Sequence, residues 1–169
     1  MRNTTIKDTV FSKCIPFLHS IGIQTFFRKI EEECFLPGLL IENGNIIIDE
    51  EALLYPGDIL HEAGHIAVTP AAERPMLNNA AIMASKSREA EEMMAIAWSY
   101  AACVHLELDP YIVFHDNGYH GGGSNIVENF REGRFFGTAT LEWCNMSIEP
   151  KHNKSAIYAY PKMLKWMRD

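Results

Sequence analysis

The chain has 169 residues and a mass of 19.2 kDa, a size that predicts one domain over residues 1 to 169, with a substantial core. Apolar residues make up 47% of it and charged residues 22%, proportions that are typical of soluble globular proteins. The net charge of −7 argues against a nucleic-acid partner, because such a partner normally requires a basic surface.

The sequence contains neither a membrane signal nor a thiolate metal signal. No apolar run approaches the length that crosses a bilayer, and the first residues lack the apolar core of a signal peptide. None of the four cysteines stands in a C-x-x-C spacing, which argues against a zinc site built from thiolates. We therefore expect a cytoplasmic protein with no membrane partner, with buried thiols at Cys14 and Cys103 and without disulfides.

The first third of the chain predicts a helix followed by a β-hairpin. The helix is expected over residues 5 to 19, where Pro16 could kink it or end it early, and residues 24 to 34 predict a second helix or an irregular connector. Two apolar runs, residues 38 to 42 and 45 to 49, flank Asn43-Gly44, the pair most typical of a tight hairpin turn. A short helical turn is expected over residues 50 to 54.

The centre of the chain carries a His-Glu-x-x-His motif in a helical context, residues 58 to 68. His61 and His65 are four residues apart, so on a helix they point the same way and can bind one metal ion. Glu62 lies about 100° further round the helix, beside the metal, where it can accept a proton from a metal-bound water. The alternative is an unrelated helical domain in which two surface histidines fall four apart by chance.

A long helix is predicted from residue 80 to about residue 106, charged in its first half and apolar in its second. A zinc ion held by two histidines needs a third protein ligand if one position is to stay open for water. The candidates are Glu89, Glu91 and Glu92. We prefer Glu92, because it lies where the charged half meets the buried half. Small residues at Ala95, Ser99 and Gly64 would let the two helices approach closely.

A loop rich in glycine and polar residues follows this helix. Residues 111 to 114 predict a strand or a final helical turn, and a short helix is expected over residues 126 to 132, capped by Ser124 or Asn125. Polar loops between ordered elements often line sites. Three loop residues are candidates for stabilising an oxyanion, or else belong to an incidental surface loop: His115, Tyr119 and His120.

The last part of the chain predicts a packed element over residues 135 to 146, with Leu141, Trp143 and Met146 in the core. A polar loop over residues 151 to 154 and a terminal helix over residues 161 to 166 follow. With no repeat and no linker, the whole pattern predicts one α+β domain, mostly helical, with a small hairpin at one edge.

The order of hairpin, His-Glu-x-x-Gly-His helix, loop and glutamate-bearing helix resembles the gluzincin metallopeptidases, particularly their compact minimal forms, over residues 39 to 104. The resemblance implies a zincin-like fold and a Zn2+ ion held by His61, His65 and a glutamate of the second helix, with Glu62 as general base. It also implies that the hairpin borders a cleft, where an extended peptide could lie as an added strand.

In these families an Asp or Asn four residues after the ligand glutamate often braces a ligand histidine. Here those positions hold Met93, Ala95 and Ile96, so we expect the brace from Asp116 or from a backbone carbonyl.

The leading hypothesis is a zinc-dependent hydrolase, above all a metallopeptidase acting on a peptide or protein. Glu62 would accept a proton from the metal's water and pass it to the leaving amine. The alternative is a non-catalytic binding or regulatory module with a structural metal or none. A fourth side chain on the metal, such as His115 or His120, would favour the module, and an open position would favour the enzyme. The sequence indicates neither the substrate nor the oligomeric state.

Overall fold

The computed structural model describes residues 2 to 32, 34 to 152 and 157 to 169, and a mixture of helices with one small sheet confirms the predicted α+β class. The elements in chain order are α1 (Arg2–Ser20), β1 (Thr25–Phe27), β2 (Leu39–Glu42), β3 (Asn45–Ile48), α2 (Asp58–Val68), α3 (Asn79–Ala84), α4 (Arg88–His105), α5 (Gly123–Arg131) and α6 (Thr138–Trp143). Within the described ranges, no helix combines the length and the apolar character that crossing a bilayer requires.

The sheet has the order β1-β3-β2, with β3 parallel to β1 and antiparallel to β2. Asn43 and Gly44 both have positive φ, 52° and 70°, as a tight hairpin turn between twisted strands requires, so the hairpin is confirmed. Of the two alternatives for residues 24 to 34, the helix was wrong: the described part of this segment is irregular apart from β1. Three residues are too few to show a strand periodicity, and β1 is defined only by its pairing with β3.

Helices α2 and α4 form the centre of the molecule and pack closely against each other. Every residue of α2 except His61 is buried. A Cβ atom at Gly64 would lie 2.9 Å from the carbonyl oxygen of Ala95, so only glycine allows this approach. On the same side the Ser99 hydroxyl lies 3.2 Å from the carbonyl oxygen of Leu60. The small residues therefore set the separation of the two helices, as the sequence predicted.

Helix α1 and the C-terminal segment pack against helices α2 and α4. Helix α1 continues through Pro16, and its Cys14 is buried, as is Cys103 of α4, so the prediction of buried thiols is confirmed. The Trp98 indole donates a hydrogen bond of 2.9 Å to the carbonyl oxygen of Trp166. The Arg168 N–H donates one of the same length to the carbonyl oxygen of Ala67, which ties the end of the chain to α2.

The structure changes the boundaries of two predicted helices and decides between the alternatives for two short segments. The helix expected from residue 80 is divided into α3 and α4, since Ser85 is extended and its hydroxyl accepts the Ser87 N–H. The short helical turn expected over residues 50 to 54 is present as one turn, closed by the Leu53 N–H on the Asp49 carbonyl oxygen at 2.9 Å, and the Asp49 carboxylate also accepts the N–H groups of Glu51 and Ala52. Helix α5 begins at Gly123 with no side-chain cap, three residues earlier than predicted. Of the two alternatives for residues 111 to 114, the helical turn is confirmed, as the 3-10 turn Pro110–Ile112, and the strand is not formed.

The prediction for the C-terminal part was only half correct. Leu141 and Met146 are buried, whereas Trp143 is 74% exposed, with the Arg168 guanidinium over its ring at 5.9 Å. Residues 161 to 166 are not helical, because Met163 pairs with Ser147 in an antiparallel bridge. A short apolar run suits an extended segment as well as a helix. The polar loop predicted over residues 151 to 154 extends into residues outside the described ranges.

Replacing Gly64 with alanine tests the close approach of α2 and α4. Alanine is the better helix former by about 1 kcal/mol, so in an isolated helix the change would stabilise. Here the new Cβ would meet the Ala95 carbonyl of α4, which is backbone and cannot rotate away. We expect Gly64→Ala to lower the free energy of unfolding by about 1 to 3 kcal/mol in urea titrations. An increase in stability would contradict this account.

Candidate metal centre

Helices α2 and α4 bring three potential metal ligands together. The Nε2 atoms of His61 and His65 lie 3.1 Å apart. From α4, the Glu92 carboxylate places Oε1 3.5 Å from His61 Nε2 and Oε2 3.2 Å from His65 Nε2. His65 follows Gly64 directly, and Glu92 is one turn before Ala95, so the close contact of the two helices produces this convergence. Neither Glu89 nor Glu91 belongs to the cluster.

The spacing and chemistry of these ligands fit a zinc ion. Zinc bonds of about 2.0 to 2.1 Å at tetrahedral angles place the donor atoms about 3.3 Å apart. The three observed separations are 3.1, 3.2 and 3.5 Å. Two imidazole nitrogens and one carboxylate are a ligand set that zinc accepts, with a fourth position left for water. The same donors also accept other divalent metals.

The charges of the cluster suit a cation. Burial, together with the charge of His65, lowers the pKa of His61 to about 3, so this imidazole is neutral, as a ligand must be. Burial also acts to lower the pKa of His65, but the hydrogen bond to Glu92 and the charges of nearby glutamates outweigh it, and the pKa is raised. Against its own burial, the two histidines hold the pKa of Glu92 below its usual value. A bound divalent cation would compete with a proton for the ligand nitrogen of His65.

Glu62 is buried next to the cluster. Burial raises the pKa of Glu62 to about 7, His65 opposes this, and the charges of Asp58 and Glu92 add to it. A side-chain hydrogen bond with Asn79 partly lowers the pKa again. The Oε2 atom of Glu62 has no hydrogen-bond partner among the described residues. A carboxylate with a pKa near neutrality and a free oxygen is suited to accept a proton at pH 7.

Tyr119 contacts the cluster through Nδ1 of His61, which differs from the oxyanion role that was predicted for it. Its hydroxyl lies 3.1 Å from Nδ1 of His61, and the two rings are perpendicular at 5.5 Å. If His61 binds a metal through Nε2, its Nδ1–H donates to the Tyr119 oxygen, which fixes the ring and its tautomer. Tyr119 would therefore brace His61 as a metal ligand, the role that we expected from Asp116 or from a backbone carbonyl, and Asp116 is exposed.

The backbone of this loop is strained at Tyr119, the residue that contacts His61, and at His120. Tyr119 and His120 both have positive φ, 54° and 53°, a conformation that side-chain-bearing residues rarely adopt. Non-glycine residues in such conformations are found most often at functional sites, where the surrounding structure holds them. Burial and nearby carboxylates raise the pKa of Tyr119 well above 10, so its hydroxyl keeps its proton.

The structure brings neither His115 nor His120 to the metal cluster. His115 Nε2 lies 3.0 Å from Oδ1 of Asp58, and its ring stacks on Tyr55 at 3.9 Å. Burial raises the pKa of Asp58 to about 6, and His115 opposes that rise. His120 is exposed. The pair of Asp58 and His115 was not predicted, because nothing in sequence links two residues 57 positions apart.

The outer edge of β2 is closed in this structure. Alternate residues of an edge strand turn their N–H groups away from the sheet, and in β2 these are Leu39 and Ile41. The Leu39 N–H donates to the Leu36 carbonyl at 3.1 Å, and the Ile41 N–H donates to Oδ1 of Asn79 at 2.8 Å. An added peptide strand would therefore have to displace Asn79, a residue that the sequence pattern placed in an ordinary loop.

No family model, no curated protein and no solved structure matches this chain. The likeness to gluzincins thus remains a prediction from the motif and from the order of elements. Any proposal of function therefore depends on the geometry of the cluster.

Removing the Tyr119 hydroxyl tests its role as a brace. We expect Tyr119→Phe to keep the fold and to weaken zinc binding about tenfold, because loss of a partner that orients a ligand histidine typically costs that much. Competition with a chromogenic chelator measures the affinity. Tyr111→Phe, which removes a hydroxyl from the neighbouring turn, is the matched control. Equal affinity in the two variants would show that the contact does not orient His61.

The pKa of Glu62 predicts a pH-dependent difference in stability in the metal-free protein. Between pH 4.5, its ordinary value, and about 7, folded Glu62 keeps a proton that the unfolded chain has released. This group's contribution to the free energy of unfolding therefore falls as pH rises, by about 3 kcal/mol across that window. Glu62→Gln has no carboxyl group at this position, so its free energy of unfolding does not fall with pH for this reason.

We therefore expect Glu62→Gln to gain stability relative to wild type between pH 4.5 and 7.5, in urea titrations with a chelator present. Glu89→Gln, at an exposed position, is the control and should follow wild type at both pH values. A stability difference for Glu62→Gln that does not change with pH would contradict the raised pKa.

Proposed function

We propose that this protein is a zinc-dependent hydrolase, and specifically a metallopeptidase that acts on a peptide or protein. One observation carries the proposal. The ligand atoms of His61, His65 and Glu92 converge at tetrahedral spacing while the buried carboxylate of Glu62 lies beside them. A purely structural site has no need for an adjacent carboxylate with a pKa near 7.

Each residue of the site has a distinct task in this proposal. Zinc bound there would lower the pKa of a coordinated water to about 7 and polarise the scissile carbonyl. Glu62 accepts the proton of the attacking water and then delivers it to the leaving amine. Tyr119 keeps His61 in the tautomer and orientation that the ligand role requires.

The loop residues predicted to stabilise an oxyanion are assigned differently. Tyr119 contacts Nδ1 of His61 and would orient that ring, whereas His115 is paired with Asp58 and does not join the cluster. His120 is exposed and has no role in the proposal.

The ligand count supports an enzyme over a non-catalytic module. Among the described residues, the cluster has three protein ligands, and neither His115 nor His120 joins it as a fourth. Catalytic zinc sites commonly have three protein ligands and one open position, whereas structural sites are closed by four.

Metal analysis tests the first part of the proposal. We expect about one zinc per chain in wild type and in Glu89→Gln, and little or none in His61→Ala or Glu92→Gln, since each removes one ligand. A wild-type protein that takes up no metal after zinc is added back would refute the proposal.

Hydrolysis of a peptide library tests the second part. We expect Glu62→Gln to keep its zinc but to lose at least 100-fold in kcat, as general-base catalysis typically contributes that much. Cleavage by Glu62→Gln at the wild-type rate would exclude the assigned base. A zinc-loaded wild type that cleaves no peptide would favour the binding module.

A further inference from the structure

The segment between α4 and α5 is attached to α2 at two points, about one helical turn apart. His115 Nε2 lies 3.0 Å from Oδ1 of Asp58. The Tyr119 hydroxyl lies 3.1 Å from Nδ1 of His61. Asp58 and His61 are three residues apart on the helix, so they lie on the same face of it. Residues 115 to 119 therefore follow that face of α2 and are attached to it at both ends.

The His115 ring is held both at its edge and on its face. Its Nδ1 is buried and has no partner among the described residues, so the proton of the neutral ring is on Nε2, where it is donated to the Asp58 carboxylate. Because Asp58 is only 6% exposed, water competes little for this hydrogen bond. The ring also stacks on Tyr55 at 3.9 Å, with 16° between the two planes. These contacts fix His115 to the start of α2.

The backbone on both sides of His115 requires such support. Before it, the chain packs so closely on the start of α2 that a Cβ atom at Gly57 would lie 1.9 Å from the Ile112 carbonyl oxygen. After it, Tyr119 and His120 have φ of 54° and 53°. Non-glycine residues stay in this conformation only where surrounding contacts hold them. The contacts of His115 are well placed to hold the strained residues that follow it.

We propose that His115 is a positioning residue for the metal centre, because its bond to Asp58 holds the strained segment so that the Tyr119 hydroxyl meets His61. The inference rests on the proposed function only for the role of His61 as a metal ligand. His115 is not part of the cluster and acts through Tyr119. A hydrogen bond weakens steeply when its partners are misaligned, so the Tyr119 hydroxyl orients His61 only if the segment is held in place.

Two substitutions of His115 differ in whether the contact with Asp58 survives. His115→Gln retains an NH2 donor at about the position of Nε2. His115→Leu removes the donor and keeps an apolar side chain there. Leu18→Ala is the control for a general loss of stability, because it takes buried apolar contacts from α1 and leaves the hydrogen bonds of residues 115 to 119 in place.

We expect His115→Leu to weaken zinc binding about three- to tenfold in chelator competition, and His115→Gln and Leu18→Ala to stay within about twofold of wild type. The double variant His115→Leu/Tyr119→Phe should bind zinc no more weakly than Tyr119→Phe alone, because both changes interrupt the same series of contacts. The proposal is overturned if His115→Leu binds zinc as wild type does, if Leu18→Ala loses as much, or if the two losses multiply in the double variant.

A second measurement needs no metal and no substrate. In metal-free protein with 15N-labelled histidine, the Nδ1 signal of His61 should shift in Tyr119→Phe and in His115→Leu, and should keep its wild-type position in His115→Gln. An unchanged His61 signal in His115→Leu would disprove the positioning role. A wild type that takes up no zinc would refute the proposed function instead, and the NMR comparison would still decide whether His115 positions Tyr119.

Discussion

The close contact between α2 and α4 is the constraint on which the site depends. With no side chain at Gly64, the backbone of α2 comes so near to α4 that an added Cβ would lie 2.9 Å from the Ala95 carbonyl oxygen. That separation brings Glu92 within 3.5 Å of both imidazole nitrogens, a distance that one metal ion can bridge. Most of α2 and the second half of α4 are buried in the core, so the contact that forms the core also brings His61, His65 and Glu92 together.

Burial of so many polar groups requires supporting contacts, and these come from outside the helix pair. Tyr119 contacts His61, and His115 is paired with Asp58. Both supporting residues lie on the segment between α4 and α5. A charged or hydrogen-bonding group taken from water has to find a partner, and each of these contacts supplies one to a residue of α2. This connecting segment is therefore part of the site.

The sheet contributes through its edge as well as through its buried face. Ile41 directs its N–H away from β3, and Asn79 takes it. This contact closes the place where the likeness to peptidases suggested an added peptide strand. A peptide that paired with β2 would compete for the same N–H group.

The sequence by itself determined the features that depend only on residues a few positions apart. The four-residue interval of His61 and His65, the helix that carries them and the turn at Asn43-Gly44 all follow from backbone geometry over one or two turns. Even the choice of Glu92 over its neighbours followed from the change from charged to apolar residues along one helix. Tertiary packing decided the rest. Strand β1 exists only through its pairing with β3, Met163 lies in a bridge instead of a helix, and the partners of His61 and Asp58 come from distant segments. Such contacts have no period in the sequence, because they depend on where the finished fold brings two segments together.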